Sequence, residues 1–269
     1  MCINRSFWSW ILAAVCLAAG QLFALESRIW ADGTDKQVEA TYSRELLGGV
    51  LVRDARSDSI LIHFEDLTLA DLNYLKYRVP PVVEVDTDYT THQLGRTEWS
   101  REDDDTILYT FNISIEKKSR LPYVGELTAE LFVLGRERLV ADDNQLVLMN
   151  YSRTVFTLPD EKRSQYEFSV PDISFNAYRA SWILVPSAVE RGKTYCGVIV
   201  AISDAKGNLI ASECDFKLDW VTDNLSYSIE SLRRFYKEHP GSIESRHFNS
   251  KFEKLEPPRI PWFQRFPSE

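Results

Sequence analysis

Apolar and polar residues alternate with a period of two along most of the chain between Ser27 and Val221, the signature of strands buried on one face. Four such runs come first: SRIWA, QVEATYSREL, GVLVRD and SILIHF. They are joined by DGTDK, LGG and ARSD, residues that turn a chain at little steric cost. Val38, Ala40 and Tyr42 share one face of the second run, with Glu39 and Thr41 on the other. Ile60, Ile62 and Phe64 repeat the pattern and turn His63 outward. The period then changes in DLTLADLNYLKYR. Thr68 with Asp71 makes a capping-box start, and Leu69, Leu72 and Leu75 keep helical spacing, which predicts a short helix over about 68–76. A few short strands closed by a helix predict a small barrel over residues 26–78. A unit of that size folds alone only marginally.

The two prolines of YRVPPVVEVD predict a stiff spacer at residues 79–83. Alternation resumes over 84–222. TILYTFNISIE sets Ile107, Tyr109, Phe111, Ile113 and Ile115 on one face, and LTAELFV does the same with Leu127, Ala129, Leu131 and Val133. QYEFSV, AYRASWILV and CGVIVAI follow, with Tyr178 and Trp182 on one side; Trp220 is also placed in an alternating strand. Such spacing predicts an antiparallel β-sandwich whose sheets are each covered on one side. By pattern it resembles the immunoglobulin-like accessory domains of exported bacterial proteins. Residues 223–269 hold a helix over about 226–237, capped by Ser226 or Ser228 and ending before Pro240. A proline-rich tail with Trp262, Phe263 and Phe266 follows. It is expected to dock, on its own sandwich or on a partner, because bare aromatics lower solubility. The fold class is therefore all-β with two short helices.

Composition adds a compartment. Residues 1–24 combine one Arg with an apolar stretch ending in small residues, the pattern of a secretory signal peptide cleaved after Ala24; a retained anchor helix is the alternative. Val15 stands before Cys16 where lipidation wants a small residue. The protein is thus expected to be exported, to the periplasm, the cell envelope or the exterior, and to meet a membrane only through an uncleaved anchor. A net charge of -9 with dispersed acids argues against nucleic acid as a partner. Cys2 and Cys16 leave with the leader. Cys196 and Cys214 flank a hairpin, and if Val200 faces Ile210 they face each other, as a cross-strand disulfide or as two buried thiols.

In the first unit, Arg28-x-Trp30-x-Asp32, Gly33, Lys36, the VEA of Val38–Ala40, the paired glycines and LTLADLNYL occur in an order that resembles the SLA homology domain, first seen in a fungal endocytic adaptor. Where that family usually turns on Asp-Gly, this chain has ARSD. The resemblance implies an SH3-like barrel and recognition of short peptides. Arg28, Trp30 and Tyr74 are the residues it places on a peptide-facing surface; Trp30 is either there or a core staple.

Catalytic signatures are absent: no G-x-S-x-G, H-E-x-x-H, P-loop or G-x-G-x-x-G occurs, and the four His are scattered. No cofactor is expected. EVDTDY aligns Glu84, Asp86 and Asp88, and an acidic loop follows. Asp86, Asp88, Asp103 and Asp105 form a weak calcium alternative beside the reading of a solvated edge that repels other edges. Trp99, flanked by charges, offers a carbohydrate platform. The expected function is non-catalytic binding of a protein or short peptide. A carbohydrate-binding sandwich is the alternative, and a carboxylate hydrolase a more distant one.

Overall fold

The computed structural model describes residues 26–31, 37–94, 105–138, 145–159, 164–182, 185–216 and 218–257, without the side chains of 105, 178–182 and 185–191. The expected signal peptide at residues 1–24, Trp99, Asp103, the side chains of Asp105, Tyr178 and Trp182, and the aromatics of the last residues lie outside this set. The chain is mostly strand, in two antiparallel sheets with few short helices, and it divides between Val79 and Pro80 into two compact units.

In the first unit β1 (Arg28–Ala31), β2 (Gln37–Leu46), β3 (Gly49–Asp54) and β4 (Ser59–His63) form a meander in the order β1-β2-β3-β4. These are the four runs read from alternation. Leu47 and Gly48 both have positive φ, +50° and +80°, as the primed two-residue hairpins require. Helix α1 (Leu69–Arg78) starts with the expected capping box: the Thr68 hydroxyl accepts the Asp71 N–H, and the Asp71 carboxylate accepts the Thr68 N–H. Its buried face takes in only the end of the leucine row. Asp71 and Leu75 are buried, whereas Leu69 is largely exposed.

The second unit has strands β5 (Val83–Leu94), β6 (Asp105–Lys117), β7 (Leu127–Glu137), β8 (Gln145–Phe156), β9 (Gln165–Trp182), β10 (Val185–Asp204) and β11 (Leu209–Asp215). Helices α2 (Asp219–Thr222) and α3 (Leu225–Glu238) follow, then strands β12 (His247–Asn249) and β13 (Lys254–Leu255). The path β13-β12-β8-β7-β10-β9-β6-β5, with β11 also on β10, folds into two layers because β10 belongs to both. Its first part, up to Gly192, pairs with β9 in an outer layer; from Lys193 it pairs with β7 and β11 in a central layer. Gly192 makes that passage with φ +92°, and a Cβ there would fall 1.9 Å from the Asn176 carbonyl oxygen. Any side chain at this position would collide with backbone.

Between the layers lies one core, with Phe111, Ile113 and Ile115 from β6 meeting Leu131, Val133, Val198 and Val200 from β7 and β10. Residues 165–182 form a single strand rather than two, its Pro171–Asp172 bulge (Asp172 φ +58°) keeping Tyr166, Phe168 and Val170 on the same core as Ile173 and Phe175. One-sided covering does not hold. Leu127–Gly135 are all buried, and the far face of the central layer packs Phe132, Leu134, Leu146, Leu148, Ile199 and Ala201 against Ile229, Leu232 and Phe235 of α3 and Phe248 of β12. Each such Leu, Ile or Phe side chain contributes about 2 kcal/mol of apolar burial. Helix α3 is therefore part of the second core. Its cap is Asn224, whose side chain accepts the Tyr227 N–H, in place of Ser226 or Ser228. Trp220 sits in α2 rather than in a strand.

The β10–β11 hairpin pairs Ile199 with Cys214 and Val200 with Glu213, so the expected opposition of Cys196 and Cys214 fails. Asp204 and Asn208 close the turn one position later than expected, and a bulge at Ile202/Ser203 shifts the register again. Three residues along a strand are about 10 Å, beyond the Cα separation a disulfide spans. Both cysteines are half-buried thiols.

One buried ion pair ties helix to sheet. Arg233 of α3 donates through Nε to Glu130 Oε2 at 2.8 Å, contacts the same oxygen through its terminal nitrogen, and reaches Ser203 Oγ at 2.7 Å. The Tyr151 hydroxyl donates to Glu130 Oε1 at 2.7 Å, and burial with this bond holds its ionisation well above the usual range. A second cluster anchors β12. His247 Nε2 lies 3.3 Å and Lys193 Nζ 3.1 Å from Glu137 Oε1. Burial would raise the Glu137 carboxyl, but the His247 hydrogen bond and the Lys193 charge outweigh it and hold the group low.

Arg233→Met strands the Glu130 carboxylate and is expected to lower stability by about 3 kcal/mol in urea unfolding, with most of the loss recovered by adding Glu130→Leu. Because the folded form depresses Glu137, its stabilisation is full above the ordinary value of 4.5 and is lost as pH falls through the lower folded value. In thermal melts between pH 7 and 3, Glu137→Gln is expected to flatten the acid limb of the melting-temperature curve.

Candidate functional site

The three residues expected to face a peptide come together around α1. Arg28 stands at the start of β1 with its guanidinium carbon 4.9 Å from the Trp30 ring centre and 4.5 Å from that of Tyr74. The Trp30 and Tyr74 rings meet edge to face at 5.8 Å. Asp71 is the counter-ion: its Oδ1 accepts from Arg28 at 2.7 Å while Oδ2 accepts the Thr68 hydroxyl at 2.6 Å. One carboxylate thus closes the capping box and latches β1 to the helix, which explains why Asp71 is buried.

Trp30 has no exposed surface and donates its indole N–H to the Ala40 carbonyl at 2.9 Å. It is the staple, lying under Arg28 and touching no solvent. Tyr74 is half-buried, and burial raises its hydroxyl although the Arg28 charge opposes this. Arg28 and Tyr74 are what the cluster presents outward, on an edge strand and the helix beside it.

In the second unit β5 is an edge strand, as the solvated-edge reading requires, with Glu84, Asp86 and Asp88 exposed and Val83 and Val85 in the core. Among the described residues no group of three or more His, Cys, Asp or Glu is placed to hold a metal, and Asp103 and the Asp105 side chain lie outside them. The acids of β5 instead approach those of β11. Burial first, then the charges of Asp86, Asp215 and Glu84, push the Glu213 carboxyl up. Glu84 is also bridged to Lys118 at 2.5 Å.

A group absent from the expectations lies at the end of this seam. Tyr89, Tyr109 and Tyr195 bring their ring centres within 5.0 to 5.4 Å of one another. Tyr109 was legible as a core-facing position of β6, but its two neighbours come from β5 and β10, and no local pattern links them.

No family model matches the chain, and no curated protein matches it. Several solved structures align in part, among them the following two. A crystal structure from Akkermansia muciniphila shares 12% identity over 52% of this chain and 74% of its own, with a TM-score of 0.23. The X-ray structure of Northeast Structural Genomics Consortium target SoR45 shares 13% over 49% and 86%, with a TM-score of 0.18. Likeness at that level carries no argument about this chain.

Replacing Trp30 by Ala empties the centre of a small unit, a change worth about 3–5 kcal/mol. Hydrogen exchange is expected to lose protection across β1–β4 in that variant while β6, β7 and β10 keep theirs. Tyr74→Ala is expected to leave protection in both units close to that of the parent.

Proposed function

We propose that the protein is a non-catalytic binding protein whose first unit holds a short peptide against Arg28 and Tyr74. The carrying observation is the arrangement of those two side chains: a cation laid on an aromatic ring at 4.5 Å, fixed from behind by Asp71 and Trp30, at the open edge of a sheet. Such a surface is rigid before a ligand arrives, so little ordering cost falls on binding. The edge of β1 supplies backbone groups for an extended segment, and the ring supplies a place for an apolar anchor. The order of motifs resembling the SLA homology domain supports the same reading, as does the leader pattern for a role outside the cytoplasm.

Peptide-display selection on the chain from Glu26 onward tests it. Enriched peptides are expected to share a motif and to lose at least ten-fold in affinity, about 1.4 kcal/mol, in the folded Tyr74→Ala variant. A selection without enrichment, or a motif indifferent to both Tyr74→Ala and Arg28→Gln, would sink the proposal.

A further inference from the structure

The outer layer of the second unit extends past its partner. From Asp88 to Leu94 every residue of β5 is exposed, although the strand stays paired with β6 throughout, Tyr89 opposite Phe111 and Thr91 opposite Tyr109. Where the central layer stops, the core runs out onto this ledge: Phe111 and Phe175 are buried, Tyr109 and Tyr195 half-buried, and Tyr89 is 40% exposed. Phe175 meets Tyr109 edge to face at 5.1 Å and Tyr195 at 5.9 Å, so the tyrosines rest on a fixed floor. Among the described residues the buried Tyr195 hydroxyl has no hydrogen-bond partner, a demand that native structures seldom leave unmet.

Charge decides what such a ledge takes. Asp88 flanks Tyr89, and the Asp215 charge reaches the Tyr195 hydroxyl, which burial has already pushed up. Glu84, Asp86 and Glu213 continue the same seam between β5 and β11, with Lys118 engaged by Glu84 and Glu116. Tyrosine faces and carboxylates both attract cations, and together they favour a positively charged occupant. β11 comes beside the Glu84–Asp86 end of β5, but the exposed stretch Asp88–Leu94 pairs on that side with no strand among the described residues, and an unpaired edge accepts an extended backbone.

We propose that this ledge receives an extended, Lys- or Arg-bearing segment of a partner protein. The segment's backbone runs along the free side of β5 at Asp88–Leu94, and its cationic side chains lie over Tyr89 and against Asp86, Asp88 and Asp215. This surface is separate from Arg28 and Tyr74, and the inference stands whether or not the first unit binds peptides.

Fluorescence anisotropy with labelled hexa-arginine, hexa-glutamate and a linear neutral glucose hexasaccharide tests it on the chain from Glu26 onward. Hexa-arginine is expected to bind at low salt and to weaken several-fold as salt is raised; hexa-glutamate is expected not to bind. Tyr89→Ala is expected to weaken hexa-arginine on the order of five-fold, and Asp86→Asn with Asp215→Asn by at least as much. Glu238→Gln on α3, an exposed position away from the ledge, is expected to leave binding unchanged. If Tyr89→Ala disturbs the melting temperature, the double Asn variant carries the reading. Equal binding by all variants would assign the attraction to overall negative charge and overturn the proposal. Binding of the hexasaccharide alone, or of no probe, would overturn it as well.

Discussion

A sheet that is apolar on both faces cannot meet water on either, and the second unit is arranged around that constraint. The strands β7, β8 and β10 carry consecutive apolar residues, Leu131–Leu134, Leu146–Met149 and Val198–Ile202, so successive side chains point into different cores. The outer layer covers one face. The other is covered by a helix from the end of the chain, with two further strands extending the sheet beside it. The C-terminal segment through Leu255 is therefore structural. Without α3 and β12, Phe132, Leu148 and Ile199 would face solvent. Glu130, the one carboxylate in the buried run of β7, tolerates that position because Arg233 and Tyr151 satisfy it from the covering side.

Much of this was legible in local pattern and some was not. Strands β1–β4 and the Thr68–Asp71 capping box follow from alternation and a short motif, because each depends on residues only a few positions apart. The double-sided layer had a signal as well. Four apolar residues in a row, as in LFVL and LVLM, mark a strand buried on both faces, whereas attention to every second residue reads only half of it. The single β9 was hidden by Pro171, which reads as a strand end unless a bulge absorbs it. The cysteine register depended on where Asp204 and Asn208 close their turn, a matter of one residue that no alternation fixes.

The candidate sites divide along the same line. Arg28, Trp30 and Tyr74 were marked by motif, and they do converge, yet their counter-ion Asp71 lies 43 residues from Arg28 and had been assigned only to helix capping. The tyrosines of the ledge come from three strands, and each alone looks like a core residue near a strand end. Only the passage of β10 from one layer to the other at Gly192, which brings Tyr195 across from the central layer, makes them a group.

The acidic edge serves two ends with the same residues. An exposed strand such as Asp88–Leu94 invites pairing with any other edge, and carboxylates beside it repel copies of this acidic chain. Repulsion of like charge is attraction for a cationic segment, so the charges that disfavour pairing of β5 with another copy are the ones on which the proposed cationic partner depends. Partial burial and the neighbouring charges of Asp86, Asp215 and Glu84 disfavour the charge of Glu213, and a guanidinium or ammonium in the seam would oppose that effect.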